Sequence, residues 1–170
     1  TCSNVTERPT LNATCSVKQC SPNEMQRIST LKNSTKILAV LRMPNQVSPK
    51  FKHRVICLDN IQDPGNLGTI IRIADWFGIT SIVASDQTAD CYNSKTIQAT
   101  MGSIFRVSVS YVNLKEVLKN LNIPIYGAVM DGSSIQEIAM EPEGVLVIGN
   151  EGKGISEEVL PYLSHCISIP

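Results

Sequence analysis

The fold is decided by the stretch LDNIQDPGNLGTIIR at residues 58–72, which leads from an apolar strand through a polar turn into a helix. It places the amide of Asn66 and the guanidinium of Arg72 at and near the start of that helix. A second polar turn, GNEGKG at residues 149–154, follows another apolar strand. Two strand-to-helix turns in one α/β domain are expected to line a single ligand pocket.

Strand patterns alternate with helical patterns from residue 53 onward. Residues 145–148 are apolar at successive positions, as in a strand that is buried on both faces. Interleaved strands and helices imply crossover connections, so an α/β fold with a parallel sheet flanked by helices on both faces is predicted. The predicted strands span residues 53–58, 80–84, 105–110, 124–129, 145–149 and 166–169, and the predicted helices 66–77, 93–101, 114–121 and 155–163. Trp76, Phe77 and Met130 are predicted to lie in the core.

The segment before residue 53 has a different character. Its residues 21–24, Ser-Pro-Asn-Glu, are typical of a capped helix start, and residues 36–41 predict a strand. Pro, Asn, Gln and Ser then dominate as far as Pro49. We therefore expect a partial domain over residues 1–44, a linker over 45–52 and a second domain over 53–170.

The net charge of zero conceals an uneven distribution along the chain. Residues 1–54 carry a net charge of +7 and the remaining residues −7. A basic segment of this kind favours a polyanionic partner, although a solvated basic face gives the same pattern. Lys50, Lys52 and Arg54 are the residues predicted to contact this polyanion.

Several classes of function find no support in the sequence. None of the six cysteines forms a C-x-x-C pair, so no metal site is predicted. No apolar run approaches the roughly 18 residues of a membrane span, and no signal-peptide pattern is present. A reduced, cytoplasmic protein is expected, with no membrane partner. The sequence begins with Thr1 rather than Met, which suggests a fragment.

The residues of the two turns allow structural and chemical interpretations. Asn66 suits the N-cap of its helix, and Arg72 is placed to pair with Asp75 three residues on. A guanidinium beside a polar turn also binds phosphate in a bidentate fork. Glu151 would repel a phosphate and accept hydrogen bonds from ribose hydroxyls, amino groups or backbone N–H groups. The turns therefore indicate a ligand with sugar or amine donors.

Residues 58–78 and 147–156 together resemble the first two motifs of the SPOUT superfamily, in the branch of the TrmH-like (SpoU) RNA 2′-O-ribose methyltransferases. Residues 167–170, Ile-Ser-Ile-Pro, look like the start of that family's third motif. Residues 21–44 resemble the end of the small α/β RNA-binding domain that often precedes the catalytic domain. The resemblance implies a C-terminal trefoil knot that holds S-adenosylmethionine, and a homodimer that acts on tRNA or rRNA.

The resemblance also assigns roles to individual residues. It makes Arg72 the central catalytic residue, with Asn66 and Glu151 in support. It makes Gly149 and Ile169 contacts of the cofactor, and Ala128 a further one. Arg72 would hold the RNA phosphate and orient the 2′-hydroxyl, because a guanidinium is a poor base.

The family's third motif continues past the point that corresponds to Pro170, so the knot is expected to be incomplete in this chain. Two alternatives to a methyltransferase stay open at this point. One is a non-catalytic RNA-binding protein that retains the fold. The other is a dinucleotide-dependent enzyme, which is disfavoured because the first turn lacks G-x-G-x-x-G.

Overall fold

A computed structural model describes residues 16–33, 35–45 and 48–169. The chain divides into two compact units, one ending at Met43 and the other beginning at Pro44. The function of the first unit as part of an RNA-binding domain stays a prediction. None of the described helices is long and apolar enough to cross a membrane.

The first unit contains helix α1, Pro22–Ile28, which begins as the sequence predicts. The Ser21 backbone N–H donates to the Glu24 carboxylate at 2.8 Å, and the Glu24 N–H donates to Ser21 Oγ at 3.3 Å. The strand predicted over residues 36–41 is wrong. That segment forms no strand and Val40 is 89% exposed, because no neighbouring strand among the described residues pairs with it.

The second unit is built on a six-stranded sheet with the order β3-β2-β1-β5-β4-β6, in which every neighbouring pair is parallel. This confirms the predicted α/β class and its parallel sheet. The strands are β1 Arg54–Leu58, β2 Ser81–Ala84, β3 Ser108–Tyr111, β4 Ile125–Ser134, β5 Gly144–Ile148 and β6 His165–Ser168. The helices are α2 Pro64–Trp76, α3 Ser94–Thr100 and α4 Leu114–Lys119, with short 3₁₀ turns at Ser103–Phe105 and Leu160–Tyr162.

Both faces of the sheet are covered, as predicted. On one face, Leu67, Ile71 and Ala74 of α2 pack against apolar residues of β1 and β2. On the other face, Leu114 and Leu118 of α4 belong to the core cluster that Val147 and its strand neighbours form. The sheet is therefore the middle of three layers.

The helix predicted over residues 155–163 is wrong. Ile155 and Val159 are buried in the core, but only Leu160–Tyr162 forms a 3₁₀ turn. Pro161 has no N–H to donate to the Glu157 carbonyl, and its ring disfavours a continuous helix at this point. Apolar spacing predicted a helix that this proline interrupts.

The predicted burial of three large side chains is also wrong. Trp76 is 86% exposed, Phe77 74% and Met130 95%. Trp76 lies two positions beyond the buried Ala74, about 200° around the helix from the core. Phe77 is the C-cap of α2, where the helix has already ended. This leaves an apolar surface at the end of α2.

Gly68 sits where α2 meets α3. A Cβ at this position would lie 2.5 Å from Ala99 Cβ and 2.6 Å from the Thr96 carbonyl oxygen. We predict that Gly68→Ala lowers the free energy of unfolding by about 1–3 kcal/mol, because overpacking outweighs the helix preference of alanine. Urea denaturation measures this.

The exposed Gln98 on α3 offers the control for this prediction. Gln98→Ala is expected to change the free energy of unfolding by less than about 0.5 kcal/mol. A Gly68→Ala protein that is as stable as the wild type would show that the two helices have room to separate.

Candidate active site

The two polar turns leave the sheet side by side. Strands β1 and β5 are parallel neighbours, with Leu58 opposite Ile148 at their carboxyl ends. After β1 the chain adds β2 and β3 on one side of it, whereas β4, β5 and β6 all lie on its other side, so the gap between these ends is a topological switch point. Ligands of open α/β sheets bind at such points.

Asp63, rather than Asn66, caps α2. Its side chain accepts the Asn66 N–H at 2.8 Å, and the helix begins at Pro64, two residues earlier than predicted. The prediction that Asn66 is the N-cap is therefore wrong. The Asn66 side chain instead donates from Nδ2 to Glu151 Oε1 at 2.9 Å, which joins the two turns.

The contact with Asn66 also sets the charge of Glu151. Hydrogen bonds lower the pKa of this exposed carboxyl, chiefly the one from the Asn66 amide and then one from its own backbone N–H. Desolvation and the nearby Asp63 act in the opposite direction but are weaker. Glu151 is therefore held as a carboxylate that accepts hydrogen bonds.

The second turn folds back tightly on itself. Asn150 and Gly154 exchange two backbone hydrogen bonds of 2.9 Å. A side chain at Gly149 would overlap the backbone of Gly154 and Ile155, so this position requires glycine. The tight turn therefore explains why position 149 is glycine, independently of its predicted role in cofactor binding.

Two further side chains hold the turns together, and sequence reasoning assigned a role to neither. Asn150 Nδ2 donates to the Asn60 carbonyl oxygen at 2.8 Å. The buried Asp59 accepts the Ser156 N–H at 2.7 Å. Both residues lie within two positions of the end of an apolar strand, which is the pattern that could have identified them.

The Arg72 side chain is exposed, and within residues 16–33, 35–45 and 48–169 it forms no hydrogen bond or ion pair. The alternative in which Arg72 pairs with Asp75 is wrong. Asp75 accepts from Arg106 at 2.6 Å and from Ser103 at 2.7 Å, and these contacts lower its pKa. The Arg72 guanidinium is thus left available for a ligand.

The three predicted cofactor residues lie at one edge of the sheet. Ala128 on β4 is opposite Ile167 on β6, and its neighbour Gly127 is opposite Val147 on β5. Gly149 and Ile169 each follow directly after β5 and β6, and Ile169 is 80% exposed. This is the same carboxyl edge at which the polar turns lie.

The predicted RNA-binding residues lie elsewhere. Arg54 is the first residue of β1, so it stands at the amino edge of the sheet, with Lys50 and Lys52 before it in the chain. All three side chains are exposed. The structure therefore separates them from the turns by the length of a five-residue strand, about 13–17 Å.

The turns border an open cleft of about 290 Å³. Its lining includes Asp59, Asn60, Asn150, Lys153 and Glu157, which offer both donors and acceptors. No group of three or more potential metal ligands occurs in the described part of the chain. The site suits a polar organic ligand.

An open α/β sheet with paired amide and carboxylate side chains at its switch point defines a class of ligand-binding domain. Comparison with known families gives a narrower answer. The model of the SpoU rRNA methylase family matches residues 53–170, and the chain belongs to this family.

Individual relatives agree with this assignment. The 23S rRNA (guanosine(2553)-2′-O)-methyltransferase RlmP of Bacillus subtilis is 35% identical over 88% of this chain. A TrmH-family protein from Porphyromonas gingivalis aligns with a TM-score of 0.82 and 37% identity over 86% of this chain. An AdoMet-bound rRNA methyltransferase from Sinorhizobium meliloti aligns with a TM-score of 0.65 and 30% identity over 73% of it. The chain spans 62%, 61% and 49% of these three proteins, respectively.

We predict that Asn66→Ala raises the pKa of the Glu151 carboxyl toward its ordinary value. The substitution removes the hydrogen bond that contributes most to its lowered pKa. A carbon-13 NMR titration of the glutamate side chains measures this.

Thr69→Ala provides the matched control, since Thr69 is exposed one turn further along α2 and its hydroxyl donates to the Gly65 carbonyl oxygen. It is expected to leave the Glu151 titration unchanged. An Asn66→Ala protein in which Glu151 titrates as in the wild type would contradict the contact between the turns.

Proposed function

We propose that this chain carries the catalytic domain of an S-adenosylmethionine-dependent enzyme that methylates a ribose 2′-hydroxyl in RNA. The observation that carries the proposal is the joined pair Asn66 and Glu151 at the switch point. Arg72 lies six residues beyond Asn66 on the same helix, and its side chain is unpaired among the described residues. Membership of the SpoU rRNA methylase family supports it. The AdoMet-bound state of the Sinorhizobium meliloti relative supports the choice of cofactor.

The residues at the carboxyl edge fit this cofactor. Ala128 carries only a small side chain, and Ile169 offers the cofactor an exposed apolar surface. The ionised Glu151 is a suitable acceptor for ribose hydroxyls and ammonium groups. When bound, S-adenosylmethionine supplies a methyl group on a positively charged sulfur. Gly149, Ile169 and Ala128 would hold it.

Arg72, Asn66 and Glu151 would act on the RNA side of the reaction. Arg72 binds the phosphate next to the target ribose in a bidentate fork and so fixes the position of the 2′-hydroxyl. Asn66 keeps Glu151 ionised and directed toward the gap between the turns. Positioning and charge stabilisation of this kind lower the barrier without requiring Arg72 to act as a base.

Ribosomal RNA is the substrate that we propose within this class. The Bacillus subtilis relative acts on 23S rRNA by its name, as does the Streptomyces viridochromogenes uridine 2′-O-methyltransferase, which is 26% identical over 79% of this chain. The basic residues Lys50, Lys52 and Arg54 would attract the RNA backbone from the opposite edge of the sheet. Residues 1–44 would form the end of an RNA-binding domain.

We also propose that the chain acts as a homodimer in the cytoplasm. The exposed apolar end of α2, formed by Ile73, Trp76 and Phe77, supports an assembly. The Arg106 guanidinium beside this surface is neutralised by Asp75, so it is not free to bind a phosphate. A second protein copy therefore suits the surface better than RNA does.

Arg72 provides the test of the enzymatic function. We predict that Arg72→Ala lowers methyl transfer to rRNA at least about 100-fold, because the phosphate is no longer held, and leaves the affinity for S-adenosylmethionine within about threefold. Transfer of a labelled methyl group and calorimetric titration of the cofactor measure the two effects.

Lys115→Ala, which removes an exposed cation from α4 on the other face of the sheet, is the control and should retain full activity. Unchanged turnover in Arg72→Ala would reject the catalytic assignment. A wild-type chain that binds RNA but neither binds nor uses the cofactor would favour the non-catalytic alternative.

The apolar end of α2 provides the test of the dimer. We predict that Trp76→Ala weakens self-association about tenfold or more, because the large exposed indole would be buried between the copies. Sedimentation velocity over a range of concentrations measures the dissociation constant. Met130→Ala, at an equally exposed apolar residue on β4, should leave the constant unchanged, and equal constants for all three proteins would contradict this interface.

A further inference from the structure

The side chain of Asn150 makes hydrogen bonds in two directions. Its Nδ2 donates across the gap to the Asn60 carbonyl oxygen at 2.8 Å. Its Oδ1 accepts the N–H groups of Gly152 and Lys153, each at 3.0 Å. One partly buried amide therefore organises the second turn and ties it to the first.

Glu151 depends on this arrangement for its place in the site. It lies between Asn150 and Gly152, and its exposed carboxylate has the Asn66 amide as its side-chain partner among the described residues. A single hydrogen bond to a charged group contributes about 1.5–3 kcal/mol, and less where water competes. Ordering the backbone costs about 1–2 kcal/mol for each residue. The contact with Asn66 is thus too weak to order the turn by itself.

The second tie between the turns acts at a different point. Asp59 accepts the Ser156 N–H at 2.7 Å, beyond the end of the turn. It fixes where the chain leaves the turn, but in the described part of the chain no hydrogen bond joins it to Gly152 or Lys153. The Asn66 amide and a backbone hydrogen bond from Gln62 reach the Glu151 carboxylate, whereas the Asn150 side chain bonds to the backbone N–H groups of the segment that carries Glu151.

We propose that Asn150 is a positioning residue, whose amide holds Glu151 opposite Asn66 by anchoring the second turn to the backbone of the first. The proposal about position stands on these contacts. Its kinetic consequence rests on the proposed methyltransferase function, in which a displacement of about 1 Å can cost about 100-fold in rate.

Two substitutions of Asn150 distinguish its bond to the first turn from its bonds within the second turn. Asn150→Ala removes all the side-chain bonds. Asn150→Ser keeps an oxygen that can accept the N–H groups within the turn, but its shorter side chain does not reach the Asn60 carbonyl. Asn113→Ala is the control, because Asn113 also accepts a backbone N–H, from Glu116 at the start of α4, outside the turns.

The first readout is the pKa of Glu151, measured by NMR titration without cofactor or RNA. We expect it to rise in both Asn150 variants as it does in Asn66→Ala, and to stay at the wild-type value in Asn113→Ala. The charged neighbours Asp63 and Lys153 are the same in all of these proteins. Thermal unfolding of each variant shows whether it is folded, and a loss of stability alone would not move this pKa.

The second readout is methyl transfer to rRNA. We expect the maximal rate to fall about 10- to 100-fold in both Asn150 variants, with the cofactor affinity within about threefold of the wild type. A wild-type Glu151 pKa in Asn150→Ala would overturn the proposal, and in Asn150→Ser alone it would overturn the role of the bond to Asn60. An inactive wild-type chain would refute the proposed function, whereas the titration would still decide the role of Asn150.

Discussion

The parallel pairing of β1 with β5 is the constraint on which the rest of the structure depends. Residues about ninety positions apart become neighbours because Leu58 and Ile148 end their strands side by side. Alternate residues of β1 pack into two different core clusters on the two faces of the sheet, so a shift of register would disturb the packing on both faces. The polar turns that follow these strands therefore lie at the same gap, where their side chains are close enough to form hydrogen bonds.

Within that gap, some polar groups hold the turns in place, and others remain available to form the binding site. Asp59 and Asn150 are engaged with backbone groups and hold the turns in place. Asp63 is engaged as the helix cap, which frees the Asn66 amide to contact Glu151. The division explains why a site can have an ordered carboxylate on an exposed turn. Binding sites need such support, because a site whose polar side chains lie on disordered loops binds its ligand more weakly and reacts more slowly.

A similar division governs the charges on α2. Asp75 lies three residues from Arg72 but is satisfied by Arg106 and Ser103, which come from a different segment. Local spacing favoured the pair Arg72–Asp75, and an isolated helix would form it at a gain of a few tenths of a kcal/mol. The tertiary partners win because Arg106 makes a multidentate contact that also joins α2 to the neighbouring 3₁₀ turn.

The sequence by itself determined the parallel α/β sheet, the positions of its six strands to within a few residues, and both polar turns. These features follow from local patterns of apolar, glycine and polar residues along the chain. Only the tertiary structure decided that Asn66 bonds to Glu151 rather than capping α2, and that Trp76 is exposed. Each of these outcomes depends on a partner distant in the chain, or on which helix face meets the sheet, and local periodicity carries no information about either.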